Sequence, residues 1–356
     1  MSKMIVFLLF LGFLSGCAPI DLNYQFPTSM AVEYRENKYI VSVVIPSLEE
    51  NSNKADKNES NLVIVRARGD TLSQALEKMN LKEKGRISAS HIRSIIFHKS
   101  LFEDGNLSYD TLCKYFVETV EFRLSVQVYI TEEKIDDLLA IENPLTTSAF
   151  NNLSDPSKSQ YYRRFVAPRL IDTMINFYEN RTVYLPSVYI NENIISSKEE
   201  KIEKQGIYDM DNLCFFSKDD ISIKCLDIQL LEGISYYQEL VEKDIEYGSE
   251  NEVVSGNVKN IKTSFKYKAD KVTMKVKIYF TIINNMRNDS NVDIKENLKK
   301  IVEKEILDTY KLGLSNNIDI YCIKDGFKRH KKRNINLTNE TLEVDVSIKF
   351  LGNQLF

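Results

Sequence analysis

The sequence predicts an α+β protein of three mixed α/β domains, the last a two-layer antiparallel sheet covered by a long helix. Apolar residues recur with a period of two in several segments and with a helical period in others, and the two kinds of segment alternate along the chain. At 356 residues the chain is longer than one hydrophobic core usually organises. We therefore expect several cores rather than one.

Residues 1–16 have the composition of a lipoprotein signal peptide. Lys3 provides a positive start, and the apolar run Met4–Phe13 is too short to span a bilayer. Leu14–Cys17 follows directly. A lipoprotein signal peptidase recognises such a cysteine when small residues precede it, as the two before Cys17 do. We expect cleavage before Cys17, a diacylglyceryl thioether on its sulfur and an N-acyl chain such as palmitate, because stable anchoring needs more than one acyl chain. An ordinary secretory signal is the alternative.

The first domain, residues 17–183, is predicted to be α+β. Its first strand has apolar residues on both faces, which indicates a sheet covered on both sides. Thr71 and Gln74 have the spacing of a capping box at the start of a helix. The predicted strands are Tyr39–Ile45, Leu62–Ala67, a buried strand within Arg86–His98, and Ser125–Ile130; the predicted helices are one from about Thr71, one near Ser108–Glu121, a short one after Thr131, and one near Gln160–Asn180.

The middle domain, residues 184–245, is predicted to be small and β-rich. It begins with the strand Tyr184–Ile190, and residues 206–230 contain short strands separated by turn residues. This segment is too short for much core of its own, so we expect it to lean on its neighbours. Cys214 and Cys225 flank a predicted hairpin and form either a disulfide or two free thiols, whereas Cys113 has the pattern of a buried core residue.

The third domain, residues 246–356, has the clearest pattern. Three segments alternate between apolar and polar residues, which predicts an antiparallel sheet with one covered face. The inward sets are Ile261, Thr263, Phe265 and Tyr267; Met274, Val276, Ile278, Phe280 and Ile282; and Leu342, Val344, Val346, Ile348 and Phe350. A long helix from about Asp293 to Leu312, closed by Gly313, is predicted to cover it.

Composition and motifs exclude several classes of function. A net charge of −4 argues against nucleic acid as a partner. The basic run Lys328–Arg333 is either a solvated turn or a contact for anionic lipid. No metal-ligand spacing, phosphate loop or dinucleotide fingerprint is present, so we expect no cofactor. Ser90 and His91 are adjacent on a predicted strand and therefore point to opposite faces, which disfavours a shared proton.

Several motifs together resemble the Ger(x)C lipoproteins, the C subunits of spore germinant receptors. The segments that carry the resemblance are Gly69–Leu76, Ser90–Phe97, Ser125–Ile130 with Leu138-Leu139, Leu185–Val188, Gly206-Ile207 and Leu230–Gly233, followed by the β-β-α-β order of the last domain. The resemblance covers most of the chain after Cys17.

The resemblance implies a receptor subunit that is not an enzyme. It would be held by lipid through Cys17 on the outer face of the spore inner membrane, beside two integral membrane subunits, A and B, and would act by protein–protein contact. A second hypothesis is an extracytoplasmic lipoprotein that binds a small molecule or glycan independently of a germinant receptor. A third, a hydrolase using His91, would need a Ser or Cys within hydrogen-bond reach of that histidine.

Overall fold

The computed structural model of the chain describes residues 24–46, 62–82, 86–103, 109–118, 122–139, 167–191, 207–239, 243–249 and 252–351. Residues 1–16 and Cys17 lie outside these ranges, so the signal peptide and the lipidation of Cys17 stay predictions. In the described part, no helix is long and apolar enough to cross a membrane.

The described residues form an α+β fold, which confirms the class predicted from the sequence. The strands are β1 Tyr24–Gln25, β2 Ser29–Arg35, β3 Lys38–Pro46, β4 Leu62–Gly69, β5 Arg86–Ile87, β6 Ser94–His98, β7 Gln127–Thr131, β8 Val183–Asn191, β9 Ile207–Phe216, β10 Lys224–Asp227, β11 Lys243–Ser249, β12 Glu252–Lys268, β13 Lys271–Asn285 and β14 Leu342–Phe350. The helices are α1 Leu72–Lys82, α2 Ser100–Glu103, α3 Tyr109–Glu118, α4 Ile135–Leu139, α5 Leu170–Tyr178, α6 Ile234–Tyr237, α7 Asn291–Ser315 and α8 Ile323–Lys331.

The larger sheet has eight strands in the order β10-β9-β8-β7-β6-β2-β3-β4. Its four central strands, β8, β7, β6 and β2, pair in parallel. Antiparallel hairpins extend it at both edges. Parallel neighbours need a crossover connection, and the helices between these strands lie within those crossovers.

The central strands are buried on both faces. In β6, Ile95 and Phe97 belong to one hydrophobic cluster and Ile96 to another, and in β7 Val128 and Tyr129 divide in the same way. Successive side chains of a strand point to opposite faces, so each cluster lies on its own side of the sheet. The prediction that the strand starting at Tyr39 is covered on both sides is confirmed.

The predicted buried strand within Arg86–His98 is shorter than expected. Only Ser94–His98 forms the β6 strand, because residues Ala89–His91 make a turn of 3₁₀ helix. The Ser88 hydroxyl accepts a hydrogen bond from the Ser90 N–H, a local bond that competes with strand pairing. Ser90 and His91 therefore lie in a turn and not on a strand.

The predicted capping residues start helix α1. The Thr71 hydroxyl accepts a hydrogen bond from the Gln74 N–H at 3.1 Å, as in a capping box. The Gln74 side chain reaches back to the Asp70 N–H at 3.0 Å, one residue earlier than the capping box predicts. A Cβ on Gly69 would lie 2.5 Å from the Ala75 nitrogen, so only glycine fits where β4 enters this helix.

The C-terminal sheet has four strands in the order β11-β12-β13-β14. Strand β12 forms a long hairpin with β13, as predicted. The prediction of a wholly antiparallel sheet is wrong for the last pair, because β14 lies parallel to β13 with Leu342 opposite Val272. Helices α7 and α8 connect these two strands, and such a crossover returns the chain to the end where β13 began.

Helix α7 covers one face of this sheet along its predicted apolar stripe. The buried residues are Ile294, Leu298, Val302, Ile306, Thr309, Tyr310 and Gly313. The prediction that Gly313 closes the helix is wrong: the helix continues to Ser315, and Asn317 adopts the left-handed conformation beyond it. Asparagine tolerates that conformation, whereas Gly313 is needed for space, since its Cβ would lie 2.7 Å from the Ile318 oxygen.

The segment predicted as a middle domain completes the larger sheet. Strands β8, β9 and β10 lie on one side of β7, and Ile228, Leu231, Ile234 and Tyr236 join the hydrophobic cluster that also contains the C-terminal core. The segment packs against both the N-terminal and the C-terminal parts of the fold, as expected. The division into domains 17–183, 184–245 and 246–356 stays a prediction about units that fold independently.

Cys214 and Cys225 form a disulfide between paired positions of β9 and β10. The bond ties the edge strand β10 to the sheet. Cys113 is fully buried in the core, as predicted.

Replacing Cys214 and Cys225 together by serine should lower the free energy of unfolding by about 2–3 kcal/mol, because the bond closes a loop of 11 residues in the unfolded chain. Urea unfolding with and without reductant measures this effect. Reductant should shift the midpoint of the parent protein but not that of the double variant. Equal midpoints for the parent protein in both conditions would contradict the prediction.

Candidate functional site

The histidines considered in the sequence make local contacts. The His91 ring meets the Phe26 ring edge-on with centroids 4.6 Å apart. His98 Nδ1 lies 2.8 Å from the Ser100 hydroxyl at the start of α2. Within the described residues, no group of three or more His, Cys, Asp or Glu side chains is arranged to hold a metal ion.

A cleft of about 450 Å³ opens where the larger sheet meets the C-terminal helices. One wall is the turn between α5 and β8, residues 179–182, and the hairpin that follows β9 adds a second wall. Residues 317–325, between α7 and the first turn of α8, form the third. We refer to this region as the junction cleft.

The wall formed by α8 contains a buried carboxylate bound by two arginines. Arg181 Nε donates to Asp325 Oδ2 at 2.8 Å, and Arg329 Nη2 lies 2.6 Å from the same oxygen. The Asp325 side chain is 7% exposed, whereas that of Arg329 is 54% exposed. Arg181 also contacts Glu179. This arrangement joins the α5–β8 turn to α8 by a charge-assisted bond that is largely shielded from water.

Asp319 organises the start of α8. Its carboxylate accepts the Ile323 N–H at 2.8 Å and the Lys324 N–H at 2.7 Å, and its backbone oxygen accepts the Thr182 hydroxyl at 2.8 Å. Burial raises the pKa of the Asp319 carboxyl above its ordinary value of 3.8, against the lowering effect of those two N–H groups. The residue therefore caps α8 and binds the turn before β8 at the same time.

Cys322 has a backbone φ of 52°, in the left-handed region. Burial, and then the nearby Asp319 carboxylate, raise the pKa of its thiol to about 12. The thiol is protonated at neutral pH, and a protonated thiol is a poor nucleophile. The position suits packing against β8 rather than covalent chemistry.

Asn180 connects the turn after α5 to the hairpin after β9. It adopts a positive φ of 56°, and its Nδ2 donates to Asp219 Oδ2 at 2.5 Å. Arg181 and Lys224 of the junction cleft likewise bind carboxylates of the same cleft. Chemically, the arrangement can hold two parts of the fold in one orientation.

A second charged cluster joins the residues around α6 to helix α7. The Lys243 ammonium, on a side chain only 7% exposed, lies 2.7 Å from Glu305 of α7 and 2.9 Å from Glu232. Tyr236 donates its hydroxyl to the same Glu305 oxygen at 2.7 Å. Glu232, Tyr236 and Lys243 are thereby attached to α7.

The basic run Lys328–Arg333 forms the last turn of α8 and the residues just after it. Arg329 binds Asp325, His330 stacks on Tyr267 with ring centroids 5.1 Å apart, and Arg333 binds Asp270 at 2.6 Å. Half of this run is therefore engaged in contacts within the chain.

The fold is similar to a solved structure whose title is "Crystal Structure of the GerBC protein". The TM-score is 0.52 at 13% sequence identity, and the alignment covers 91% of this chain and 97% of that chain. At this identity the likeness concerns the fold. Residues 23–190, from β1 to β8, match the family model described as "Spore germination protein N-terminal domain".

The match of residues 23–190 and the likeness in fold together support a Ger(x)C spore germination protein. No curated protein matches this sequence. The family assignment agrees with the resemblance found in the sequence, and the motifs at Gly69–Leu76 and Ser90–Phe97 lie within the matched range.

The sequence did not point to the residues of the junction cleft. Arg181 and Asp325 are 144 positions apart, and neither belongs to a motif. A lone arginine and a lone aspartate have no pattern that distinguishes them from solvated surface charges. The one feature of the sequence that could have indicated this site is the group of turn residues after α7.

Replacing Asp325 by alanine should lower the free energy of unfolding by about 2–3 kcal/mol, because it leaves the partly buried Arg181 guanidinium without its main partner. Asp270→Ala is the matched control: it also removes an aspartate bound to an arginine, but Asp270 is 81% exposed and should cost less than about 1 kcal/mol. Chemical denaturation measures both. Equal losses in the two variants would refute the role assigned to Asp325.

The raised pKa of Asp319 predicts a pH dependence of stability. The native state binds this proton more tightly than the unfolded state, so the resulting stability is complete below the ordinary value of 3.8 and is lost as pH rises through the native pKa. Relative to Asp319→Asn, the parent protein should therefore gain stability on acidification from about pH 7 to about pH 4. Urea midpoints of both proteins measure this, with Asp270→Asn as control; a difference that stays constant or changes in the opposite direction would contradict it.

Proposed function

We propose that this protein is the lipid-anchored C subunit of a spore nutrient germinant receptor and acts by contact with integral membrane subunits A and B. The observation that carries the proposal is the match of residues 23–190 to the spore germination family. The likeness of nearly the whole chain to the fold of the GerBC protein supports it.

The proposed anchor is the acylated Cys17, which would place the protein on the outer face of the spore inner membrane. The first described strand, β1, begins at Tyr24, seven residues after Cys17. Holding the chain at a membrane raises its effective concentration near other membrane proteins without any new contact. A subunit without catalytic chemistry benefits directly from such confinement.

Action through protein contact is supported by apolar side chains on the surface of two helices. Val117 of α3 is 58% exposed, and Ile175 and Tyr178 of α5 are 45% and 44% exposed. Tyr178 interacts with Asp110 of α3, so the two helices are neighbours. Grouped apolar residues on a surface are typical of a site for another protein.

The second hypothesis, binding of a small molecule or glycan without the A and B subunits, would use the junction cleft. Ligand sites are usually lined mostly by apolar groups with a few polar ones that fix orientation. The junction cleft is lined mostly by polar and charged groups instead. Arg181 is already bound to Asp325, and Asn180 to Asp219. This balance favours the receptor proposal.

Spores that carry Cys17→Ala should lose most of their response to nutrients, because the unlipidated protein would no longer be confined beside its partners. Loss of refractility after addition of nutrient is the measurement, compared with a deletion strain. The variant and the deletion should both respond to a trigger that bypasses receptors. Asp21→Ala, in the same segment, is the matched control and should germinate as the parent does.

The other outcomes of this experiment discriminate between the hypotheses. Normal germination of the deletion strain with every nutrient that parental spores answer would overturn the receptor proposal and favour the ligand-binding lipoprotein. A defect in the deletion but not in Cys17→Ala would retain the receptor role and overturn the anchor.

A further inference from the structure

The C-terminal sheet has one face covered by α7 and one open face, and the open face is rich in lysine. Its outward residues on β12, β13 and β14 include Lys262, Lys266, Lys268, Lys271, Lys275, Lys277 and Lys349, against the carboxylates Glu343 and Asp345. The edge strand β11 adds the exposed carboxylates Asp244 and Glu246 to the same face. The whole chain has a formal net charge of −4. Positive charge is thus concentrated on this face, which we call the lysine face.

The register of the sheet places like charges opposite each other. Lys262 pairs with Lys277, and Lys268 pairs with Lys271, across β12 and β13. Like charges directly opposite on one face destabilise a sheet. A face selected for stability alone would alternate the two signs, so this arrangement points to an external anion.

Carboxylates of the described chain neutralise only part of the lysine face. Lys271 lies 2.6 Å from Glu343, and Lys275 lies 3.9 Å from Asp345. No ion pair is found within the described residues for Lys262, Lys266, Lys268, Lys277 or Lys349, and all but the half-buried Lys277 are exposed. The ammonium groups of Lys262, Lys266, Lys268 and Lys349 are available to a partner, and that of Lys277 also contacts Tyr279.

Tyr279 lies among three of these lysines. The Lys277 ammonium is 5.1 Å from the centre of its ring, and Lys349 is its register partner on β14. The hydrogen bond from Lys277, with the charges of Lys277, Lys349 and Lys262, lowers the pKa of the Tyr279 hydroxyl. The electrostatic potential around the Tyr279 hydroxyl is therefore positive.

The chemistry of the lysine face fits a lipid surface better than a protein. Its cations are all lysines, which are flexible point charges, whereas protein interfaces are enriched in arginine and depleted in lysine. Beyond the face, the end of β13 and the start of α7 carry the apolar residues Ile283, Met286 and Val292, which are 63%, 58% and 68% exposed. Basic residues beside exposed apolar ones are typical of surfaces that lie on anionic membranes.

We propose that the lysine face binds the headgroups of anionic phospholipids and turns the C-terminal sheet toward the membrane surface. This rests on the proposed function only for the presence of a membrane beside the protein. The open side of the sheet would face lipid, and α7 would face away from it.

The test is sedimentation with vesicles, using the chain from residue 17 onward with Cys17→Ser, which retains every described residue and has no acyl chain. One set of vesicles is phosphatidylcholine alone, and the other contains phosphatidylglycerol in addition. The protein should bind only the second set, and added salt should weaken that binding. Replacing Lys262, Lys266, Lys277 and Lys349 by glutamine should weaken it by about tenfold or more.

The matched control removes the same charge from the opposite side of the domain. Lys295, Lys300, Lys304 and Lys311 are exposed on α7, and their replacement by glutamine should change binding by less than about threefold. Arginine at the four positions of the lysine face should retain binding, which separates charge from folding.

Three results would overturn the proposal: equal losses in the two glutamine variants, equal binding to both sets of vesicles, or no binding of the parent chain. None of these depends on a germinant receptor. Failure here would leave the germination experiment unaffected, and failure of that experiment would leave vesicle binding unaffected.

Discussion

The fold depends on one constraint: the central strands of the larger sheet must be covered on both faces. Ile95 and Ile96 are neighbours in the chain, yet they belong to separate hydrophobic clusters on opposite sides of the sheet. One side is covered by α1, α3 and α5. The other is covered by α4 and by a cluster that continues through residues 228–236 into the C-terminal core. The core of the C-terminal part is therefore continuous with one face of the larger sheet.

The parts of the fold that were predictable from the sequence are those governed by local pattern. Thr71 and Gln74 start α1 because capping depends on residues three apart, and the alternation of β12 and β13 placed their lysines on one face. Three features depended on information outside the pattern. A serine hydrogen bond shortened β6, Asn317 took the left-handed position expected near Gly313, and the crossover through α7 and α8 made β14 parallel.

The candidate site was far less predictable than the fold. Arg181 and Asp325 meet only because the turn after α5 is brought against α8 in three dimensions, and no spacing in the chain encodes that contact. Ser90 and His91, by contrast, formed a recognisable pair in the sequence, but the turn gives them separate local partners, Ser88 and Phe26. Residue identity predicted the charges present, and tertiary structure determined which of them meet.

Gly233 fixes how closely the segment before α6 packs on helix α7. A Cβ at this position would lie 2.5 Å from the Glu305 oxygen and 2.7 Å from the Ile306 Cα, so the segment before α6 rests directly on the backbone of α7. Contacts between two backbones leave no side chain whose rotation can absorb a displacement, and packed interiors are poorly compressible. The contact therefore holds residues 228–236 at a fixed distance from the helix that covers the C-terminal sheet.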